Sequence, residues 1–160
     1  MTISLVTGGS GYFGSLLVQR LVAAGHQVRV LDIYDADDRP DSVELVLGDI
    51  RDPRVVARAV AGCDVVFNNV AQVPLAKDKQ LLRTVNVDGT TLLLREATRL
   101  GVRKVVHTSS SAVFGVPASN PVLPSTVPAP VEAYGEAKLA AERACLDAVS
   151  AGLDVTIVRP

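Results

Sequence analysis

The chain has 160 residues, a formal net charge of −1 and 48% hydrophobic residues. This length suits one domain with a single core, and the hydrophobic content excludes a chain that is mainly disordered. The near-zero charge argues against nucleic acid or an anionic membrane as a partner, and no apolar run approaches the roughly 18 residues of a membrane helix.

Short runs of β-branched residues alternate along the chain with longer patterns of helical period. The runs are nearly continuous in apolar residues, which is typical of strands buried on both faces of a parallel sheet. The predicted strands are residues 3–7, 28–32, 44–47, 64–67, 104–108 and 155–158, and the predicted helices are 11–24, 53–60, 79–100 and 132–151. This alternation predicts an α/β fold with a doubly wound parallel sheet and helices on both faces.

Two segments interrupt the alternation. Residues 34–42 are polar and take the place of a helix, and residues 115–131 contain five of the nine prolines. Proline breaks helices and is excluded from central strands. We therefore expect two loops, of which the second is long enough to have a function.

The first predicted strand runs into a glycine motif. Gly8, Gly11 and Gly14 form a G-x-x-G-x-x-G pattern between this strand and a helix. Glycine permits a tight turn and a close approach of backbone N–H groups to a pyrophosphate, which would also face the positive end of the helix. The second strand ends in Asp32, where a carboxylate can accept hydrogen bonds from ribose hydroxyls and would repel a 2′-phosphate. The pattern predicts a dinucleotide site that prefers NAD to NADP.

The glycine spacing, with Thr7 ahead of it, resembles the extended short-chain dehydrogenase/reductase family, also called the NAD-dependent epimerase/dehydratase family. Three further segments continue the resemblance in the same order: Gly48-Asp49-Ile50-Arg51-Asp52, Phe67-Asn68-Asn69-Val70-Ala71 and Asn86-Val87-Asp88-Gly89-Thr90. The Asn68-Asn69 pair departs from the family's His-x-Ala-Ala form. The resemblance implies a Rossmann fold over residues 1–160. Besides the three glycines and Asp32, it implies that NAD is bound by Tyr12, Phe13, Ile33, Asp49, Ile50, Val70, Ala71, Asn86, Thr108, Tyr134 and Lys138.

The fourth predicted helix begins with a Tyr-x-x-x-Lys motif formed by Tyr134 and Lys138. Residues four apart lie on one face of a helix, and a nearby ammonium favours the phenolate form of a tyrosine. Tyr134 is therefore a candidate general base for oxidation and general acid for reduction. The resemblance adds a catalytic serine, which the family's Ser-Ser-x-x-Val-Tyr-Gly segment places on Ser110, with Ser111 as the alternative, and it places Thr108 beneath the nicotinamide.

The family's 4,6-dehydratases carry Asp-Glu after the catalytic residue, whereas Ser111 and Ala112 follow Ser110 here. We therefore expect hydride transfer at a secondary alcohol or ketone without dehydration, in an epimerase or a dehydrogenase. The segment at 134–142 resembles nucleotide-sugar enzymes, and the short segment 73–85 resembles sterol and 3β-hydroxysteroid dehydrogenases. A nucleotide sugar is preferred as the substrate, with a sterol as the alternative. An NAD-binding sensor or interaction module without turnover is the alternative of another class.

The remaining expectations concern localisation, metal binding, assembly and the extent of the enzyme. The first residues lack the basic stretch of a signal peptide, and Cys63 and Cys145 fit no metal or redox spacing, so we expect a cytoplasmic protein without a metal site. His107 is expected to be a core residue. The resemblance implies a homodimer formed through the helices at 79–100 and 132–151. It also implies a substrate region beyond the sixth strand, so we expect a piece of a longer enzyme, with apolar surface uncovered at that edge.

Overall fold

The computed structural model describes residues 1–73 and 78–160. Its centre is a six-stranded sheet in which all the strand pairs are parallel, in the order β3-β2-β1-β4-β5-β6. The strands are β1 (Ile3–Thr7), β2 (Gln27–Asp32), β3 (Glu44–Leu47), β4 (Val65–Asn68), β5 (Lys104–Thr108) and β6 (Val155–Val158). This is the doubly wound order of the Rossmann fold, and it confirms the predicted fold class.

The predicted strands agree with the structure to within one residue at each end. Four of them have the predicted bounds. β2 begins one residue earlier, at Gln27, and β4 is shifted by one residue, since Asp64 lies outside it and Asn68 joins the ladder. In register, Thr7 lies opposite Asn68 and Asn68 lies opposite His107. A row of polar side chains therefore crosses the sheet near the carboxyl ends of its strands, where ligands bind in such folds.

Helices cover the two faces of the sheet unequally. The helices are α1 (Tyr12–Ala23), α2 (Pro53–Val60), α3 (Lys79–Arg83), α4 (Thr90–Arg99) and α5 (Ala133–Ser150). The larger core lies on the face covered by α2, α4 and α5 and includes Leu5, Val66, Leu93, Val105 and Cys145. A smaller core packs α1 against β1 and β2 through Val6, Val18 and Val30. At the far edge of the sheet, Val158 remains 44% exposed.

The predicted helix at 79–100 is interrupted by a π-helical turn at Thr84–Gly89, which separates α3 from α4. A Cβ on Gly89 would lie 2.7 Å from a methyl carbon of Ile50. Glycine thus allows the helix to approach the segment after β3. Insertions of this kind occur often at functional sites, and this one contains Asn86.

Both predicted loops are irregular, apart from a short 3₁₀ turn at Ser111–Phe114 that precedes the second loop. The longest described helix, α5, has 18 residues. Among the described residues, no helix combines the length and the apolar character needed to cross a membrane.

Candidate active site

A cavity of about 540 Å³ opens at the carboxyl ends of the strands, a size typical of small-molecule sites. The structure brings most of the predicted cofactor residues into its lining: Gly8, Gly11, Tyr12, Phe13, Gly14, Asp32, Ile33, Asp49, Ile50, Val70 and Ala71. Asn86, Thr108, Tyr134, Lys138 and the predicted catalytic Ser110 are not part of this lining. The predicted site therefore has two parts, a cavity and a neighbouring cluster on β5 and α5.

The glycine turn is shaped by close backbone contacts. Gly8 has a φ of +68°, and a Cβ there would lie 3.0 Å from the backbone of Val70. A Cβ on Gly14 would press on the Gly8 carbonyl group. Gly11 is the N-cap of α1 and supplies no side-chain cap, so the first N–H groups of α1 remain available for an anion. These features fit a dinucleotide pyrophosphate.

Asp32 ends β2 with a side chain that is only 7% exposed. Its carboxylate accepts backbone hydrogen bonds from Ser10 at 3.0 Å and from Ile33 at 2.7 Å. A carboxylate can accept about four hydrogen bonds, so capacity for ribose hydroxyls remains. Tyr34, which the sequence analysis did not identify, donates its hydroxyl to the Ser10 carbonyl at 2.8 Å, and the Ser10 hydroxyl donates to the Tyr34 carbonyl at 2.9 Å. These bonds hold the glycine turn against the loop after β2.

Beside the end of β2, where the Gly48 N–H donates to the Asp32 carbonyl at 2.8 Å, Asp49 is paired with a second residue that the sequence analysis did not single out. Arg51 donates from Nη2 and Nε to the Asp49 carboxylate at 2.5 to 3.1 Å. Side-chain hydrogen bonds from Arg51 hold the pKa of Asp49 below its usual range and outweigh the opposing effect of burial. Arg51 lies on the cavity wall with Asp49, so the ion pair as a whole faces the cavity.

The wall after β4 is held by side chains, since its backbone leaves the sheet. Thr7 Oγ1 accepts hydrogen bonds from the N–H groups of Asn69 and Val70 at 3.1 and 3.2 Å, and donates to Asn68 Oδ1 at 2.8 Å. Buried backbone groups need such partners. The Asn68-Asn69 pair therefore has two roles, because Asn68 lies in the buried network and Asn69 lines the cavity.

Asn86 binds Gln72, which belongs to the same cavity wall, from the side away from the cavity. Its Oδ1 accepts from the Gln72 N–H at 2.7 Å, and its Nδ2 donates to the Gln72 carbonyl at 3.0 Å. The side chain is 1% exposed. The structure thus places Asn86 behind the cavity wall, where it positions Gln72.

Replacing Asn86 with Leu should reduce the free energy of unfolding by about 1–3 kcal/mol, because two partly buried backbone groups of Gln72 lose their partners. Urea denaturation measures the effect. Gln80→Leu, which removes an exposed amide from α3, is the matched control and should change stability by less than about 0.5 kcal/mol. Equal losses in the two variants would contradict this role for Asn86.

The cluster beside the cavity centres on Lys138. This side chain is 3% exposed, and its Nζ donates to the Thr108 carbonyl at 2.9 Å and lies 5.9 Å from the ring centroid of Tyr134. Burial lowers the pKa of the Lys138 ammonium to about 8. Thr108 in turn donates from Oγ1 to Asn69 Oδ1 at 2.6 Å. Thr108 therefore joins the Tyr134–Lys138 face of α5 to the end of the cavity.

Ser110 lies between β5 and the 3₁₀ turn. Its hydroxyl accepts from the Ala112 N–H at 3.1 Å, and its backbone is extended. Ser110 is half-buried, whereas Ser111 is exposed. A Cβ on Gly135 would lie 2.5 Å from the Ala112 carbonyl oxygen, so glycine after Tyr134 lets the start of α5 pack directly against this turn.

His107 is a core residue, as predicted. It is 1% exposed, and its Nδ1 shares a hydrogen bond of 3.0 Å with Asn68 Nδ2. Burial lowers the pKa of His107 to about 4, so its imidazole is neutral at physiological pH. Cys63 and Cys145 are buried, and burial raises the pKa of both thiols, that of Cys145 to about 12.

Comparison with known proteins places this geometry in a family. The model of the NAD dependent epimerase/dehydratase family matches residues 4–160. The chain belongs to this family. The match confirms the recognised resemblance and, at the level of the family, the predicted NAD cofactor.

Two curated relatives match nearly the whole chain. An uncharacterised protein, y4nG of Sinorhizobium fredii, is 51% identical over 158 residues, which are 98% of this chain and 40% of that protein. Sterol demethylase protein B of Methylococcus capsulatus is 38% identical over 166 residues, covering 98% of this chain and 50% of that protein. The chain therefore spans about half the length of these relatives, or less.

Solved structures agree with the fold. A short-chain dehydrogenase/reductase superfamily protein from Agrobacterium tumefaciens with bound NAD has a TM-score of 0.93 at 30% identity, covering 98% of this chain and 48% of that one. A UDP-galactose 4-epimerase has a TM-score of 0.91 at 33% identity, covering 99% of this chain and 55% of that one.

Proposed function

We propose that the chain binds NAD in the cavity and carries the catalytic residues of an oxidoreductase or epimerase that acts by hydride transfer at a secondary alcohol or ketone. One observation carries the proposal. The Tyr134–Lys138 face of α5 is joined to the cavity through Thr108, which accepts from Lys138 and donates to Asn69. A proton-transfer group thus lies next to a cavity that fits a dinucleotide.

In this proposal, NAD accepts the hydride when it is bound, and side chains of the protein accept or donate the proton. As an alcohol is oxidised, its hydroxyl proton passes to the Tyr134 oxygen while a hydride leaves the carbon that bears the hydroxyl group. The Lys138 ammonium favours the phenolate that accepts this proton. Ser110 donates a hydrogen bond to the substrate oxygen as its charge changes. The reverse direction uses Tyr134 as the acid.

The preferred substrate is a nucleotide sugar, and the likeness to a UDP-galactose 4-epimerase supports this choice. No Asp-Glu pair follows Ser110, which disfavours 4,6-dehydration. A sterol is the second candidate because sterol demethylase protein B matches 98% of the chain. The short segment 73–85 that also favoured a sterol includes residues 74–77, which lie outside the described residues.

The proposed assembly is a homodimer in which α5 takes part. Leu146 and Val149 near the end of this helix are 58% and 45% exposed, and large apolar side chains at a surface are a common feature of interfaces. The molar mass in solution, measured by light scattering, tests the dimer, and a monomer at all concentrations would reject it.

Titration with NADH and NADPH, followed by cofactor fluorescence, tests the cofactor site. The chain has no tryptophan, so its own emission interferes little. NADH should bind more tightly than NADPH, because Asp32 repels a 2′-phosphate, and Asp32→Asn should narrow that difference. Failure to bind either nucleotide would overturn the proposal.

Turnover is then tested on UDP-sugars and on 3β-hydroxysterols. The reduced cofactor is followed by absorbance and the sugar epimers by chromatography. Activity on UDP-sugars supports the preferred substrate, and activity only on sterols supports the second candidate. Tight NADH binding without any turnover would instead favour an NAD-binding module.

A further inference from the structure

A partly buried ion pair lies one helical turn from Lys138. Glu142 is 3% exposed, and its carboxylate oxygens accept from Nε and Nη2 of Arg159 at 2.8 and 2.7 Å. Such bidentate pairs are strong and geometrically specific. Desolvation offsets much of the energy of a buried pair, however, so its presence is weak evidence of a stabilising role alone. The groups that surround the pair therefore indicate whether it has a role besides stability.

Glu142 faces the same space as Lys138. The two residues are four apart on α5 and both are buried, so they lie on one face of the helix. Cys145 continues this face towards the core, and His107 on β5 lies close enough for Lys138 and Glu142 to influence its charge. The proposed catalytic lysine and the carboxylate of the ion pair thus share one buried cluster.

Arg159 connects this cluster to the Ser110 turn. It directly follows β6, and its guanidinium lies 5.0 Å from the ring centroid of Phe114. Phe114 closes the 3₁₀ turn that begins after Ser110. The Ser111 N–H also donates to the Pro160 carbonyl at 2.9 Å. One side chain therefore contacts both the helix of Lys138 and the turn of Ser110.

Few charges act on the Lys138 ammonium. Burial lowers its pKa, and Cys145 and Glu142 on the same helix oppose that effect. Cys145 has a pKa of about 12 and His107 one of about 4, so both are neutral at physiological pH. No charged side chain of the α3–α4 helix or of the other described elements is among the groups that shift the Lys138 pKa. Glu142 is therefore the carboxylate that counters the burial of Lys138.

The carboxylate of Glu142 is itself kept ionised. Burial would raise its pKa, but the hydrogen bonds and the charge of Arg159 bring it below the usual range. Arg159 thus fixes the orientation of the carboxylate and keeps it charged. Arg159 consequently supports the effect of Glu142 on a cation at Lys138.

We infer that the Glu142–Arg159 pair is a positioning device for the catalytic lysine. Glu142 supplies the counter-charge that keeps the buried Lys138 protonated, and Arg159 holds that carboxylate in place and keeps it ionised. The inference rests on the proposed function, in which a charged Lys138 supports the Tyr134 phenolate. Both residues act through Lys138 without touching the reacting atoms.

Lysine NMR tests the inference without cofactor or substrate. The chain has four lysines, so with ¹³C-labelled lysine the ε-carbon of Lys138 is identified by its loss in Lys138→Met and then titrated with pH. Glu142→Gln should increase the acid dissociation constant of Lys138 on the order of tenfold, as expected for removing a charge one helical turn away. Arg159→Met should increase the constant as well, but by less, because Glu142 loses the partner that orients it and keeps it ionised, and Arg159→Lys, which keeps the cation, should stay near the wild-type value.

Glu96→Gln is the matched control. Glu96 is 6% exposed and paired with Arg99 on α4, so its loss disturbs a similar ion pair away from Lys138 and should leave the titration unchanged. An increase of the constant in both Glu142→Gln and Arg159→Met, with Arg159→Lys and Glu96→Gln near the wild-type value, supports the inference. No change in Glu142→Gln, an equal change in Glu96→Gln, or a decrease in Arg159→Met overturns it.

Two arrangements keep the test decisive. Should Glu142→Gln fail to fold, Arg159→Met and Arg159→Lys decide on their own, since only the first removes a charge. The titration is also independent of the proposed function. A protein that fails to bind NADH overturns the proposed function, whereas the Lys138 titration still decides whether the ion pair sets its charge.

Discussion

Replacing Tyr134 with Phe should reduce the rate of hydride transfer by about 10²–10⁴-fold, the usual contribution of a positioned acid or base. The substitution removes one hydroxyl and keeps the ring that lies 5.9 Å from Lys138 Nζ. NADH affinity should therefore change little. Single-turnover kinetics with the substrate found in the panel measure the rate, and NADH fluorescence measures the affinity.

The other two tyrosines are matched controls for the loss of a phenol. Tyr12 lines the cavity and is 87% exposed, so Tyr12→Phe should leave the single-turnover rate at saturation unchanged. Tyr34→Phe removes the hydrogen bond to Ser10 and should weaken NADH binding without changing the rate at saturation. A Tyr134→Phe variant with an undiminished single-turnover rate would remove Tyr134 from the mechanism and leave the serine or a water as the proton acceptor.

The strands could be predicted from the sequence because burial on both faces of a parallel sheet demands continuous apolar runs. The runs at 3–7 and 104–108 are bounded by polar residues or glycine, and the structure begins and ends β1 and β5 at those points. The π-helical turn could not be predicted in this way. The pattern at 79–100 is helical throughout, and the insertion is linked to the contact between Gly89 and Ile50, which are far apart in sequence.

The candidate site shows the same division between local and distant causes. Short motifs predict the residues that line the cavity, because a glycine turn and the carboxyl end of a strand are local features. The residues that the motifs missed act through distant partners. Tyr34 contacts Ser10 across 24 positions and Arg159 contacts Glu142 across 17. Nothing in the neighbouring sequence indicates either pair.

For Asn86, the sequence indicated the region of the structure correctly but did not indicate the partner of its side chain. The resemblance of Asn86-Val87-Asp88-Gly89-Thr90 to the family implied that Asn86 binds the cofactor, and the structure places Asn86 one layer behind the cavity, on both backbone groups of Gln72. A side-chain amide that can donate and accept suits a ligand and a neighbouring peptide group equally. Only the tertiary arrangement distinguishes these two partners.

Gly14→Ala should both destabilise the protein and weaken NADH binding. Helix propensity alone predicts the opposite sign for stability, since alanine within a helix is favoured over glycine by about 1 kcal/mol. A Cβ on Gly14, however, would lie 2.8 Å from the Gly8 carbonyl carbon and from the Gly9 Cα. These are backbone atoms that cannot rotate away, and overpacking typically costs about 1–3 kcal/mol. We therefore expect a net loss of up to about 2 kcal/mol, measured by urea denaturation.

The effect on NADH follows from the same contact. Separating the start of α1 from the Gly8 turn moves the free N–H groups of α1 away from the anion that they are proposed to bind, so affinity should fall by at least about tenfold. Gly11→Ala is the matched control for stability, because a Cβ there would lie 3.4 Å from the Gly8 oxygen, an ordinary contact. Equal stability of the two variants would show that α1 can shift without cost, and that the close approach at Gly14 is not what shapes the turn.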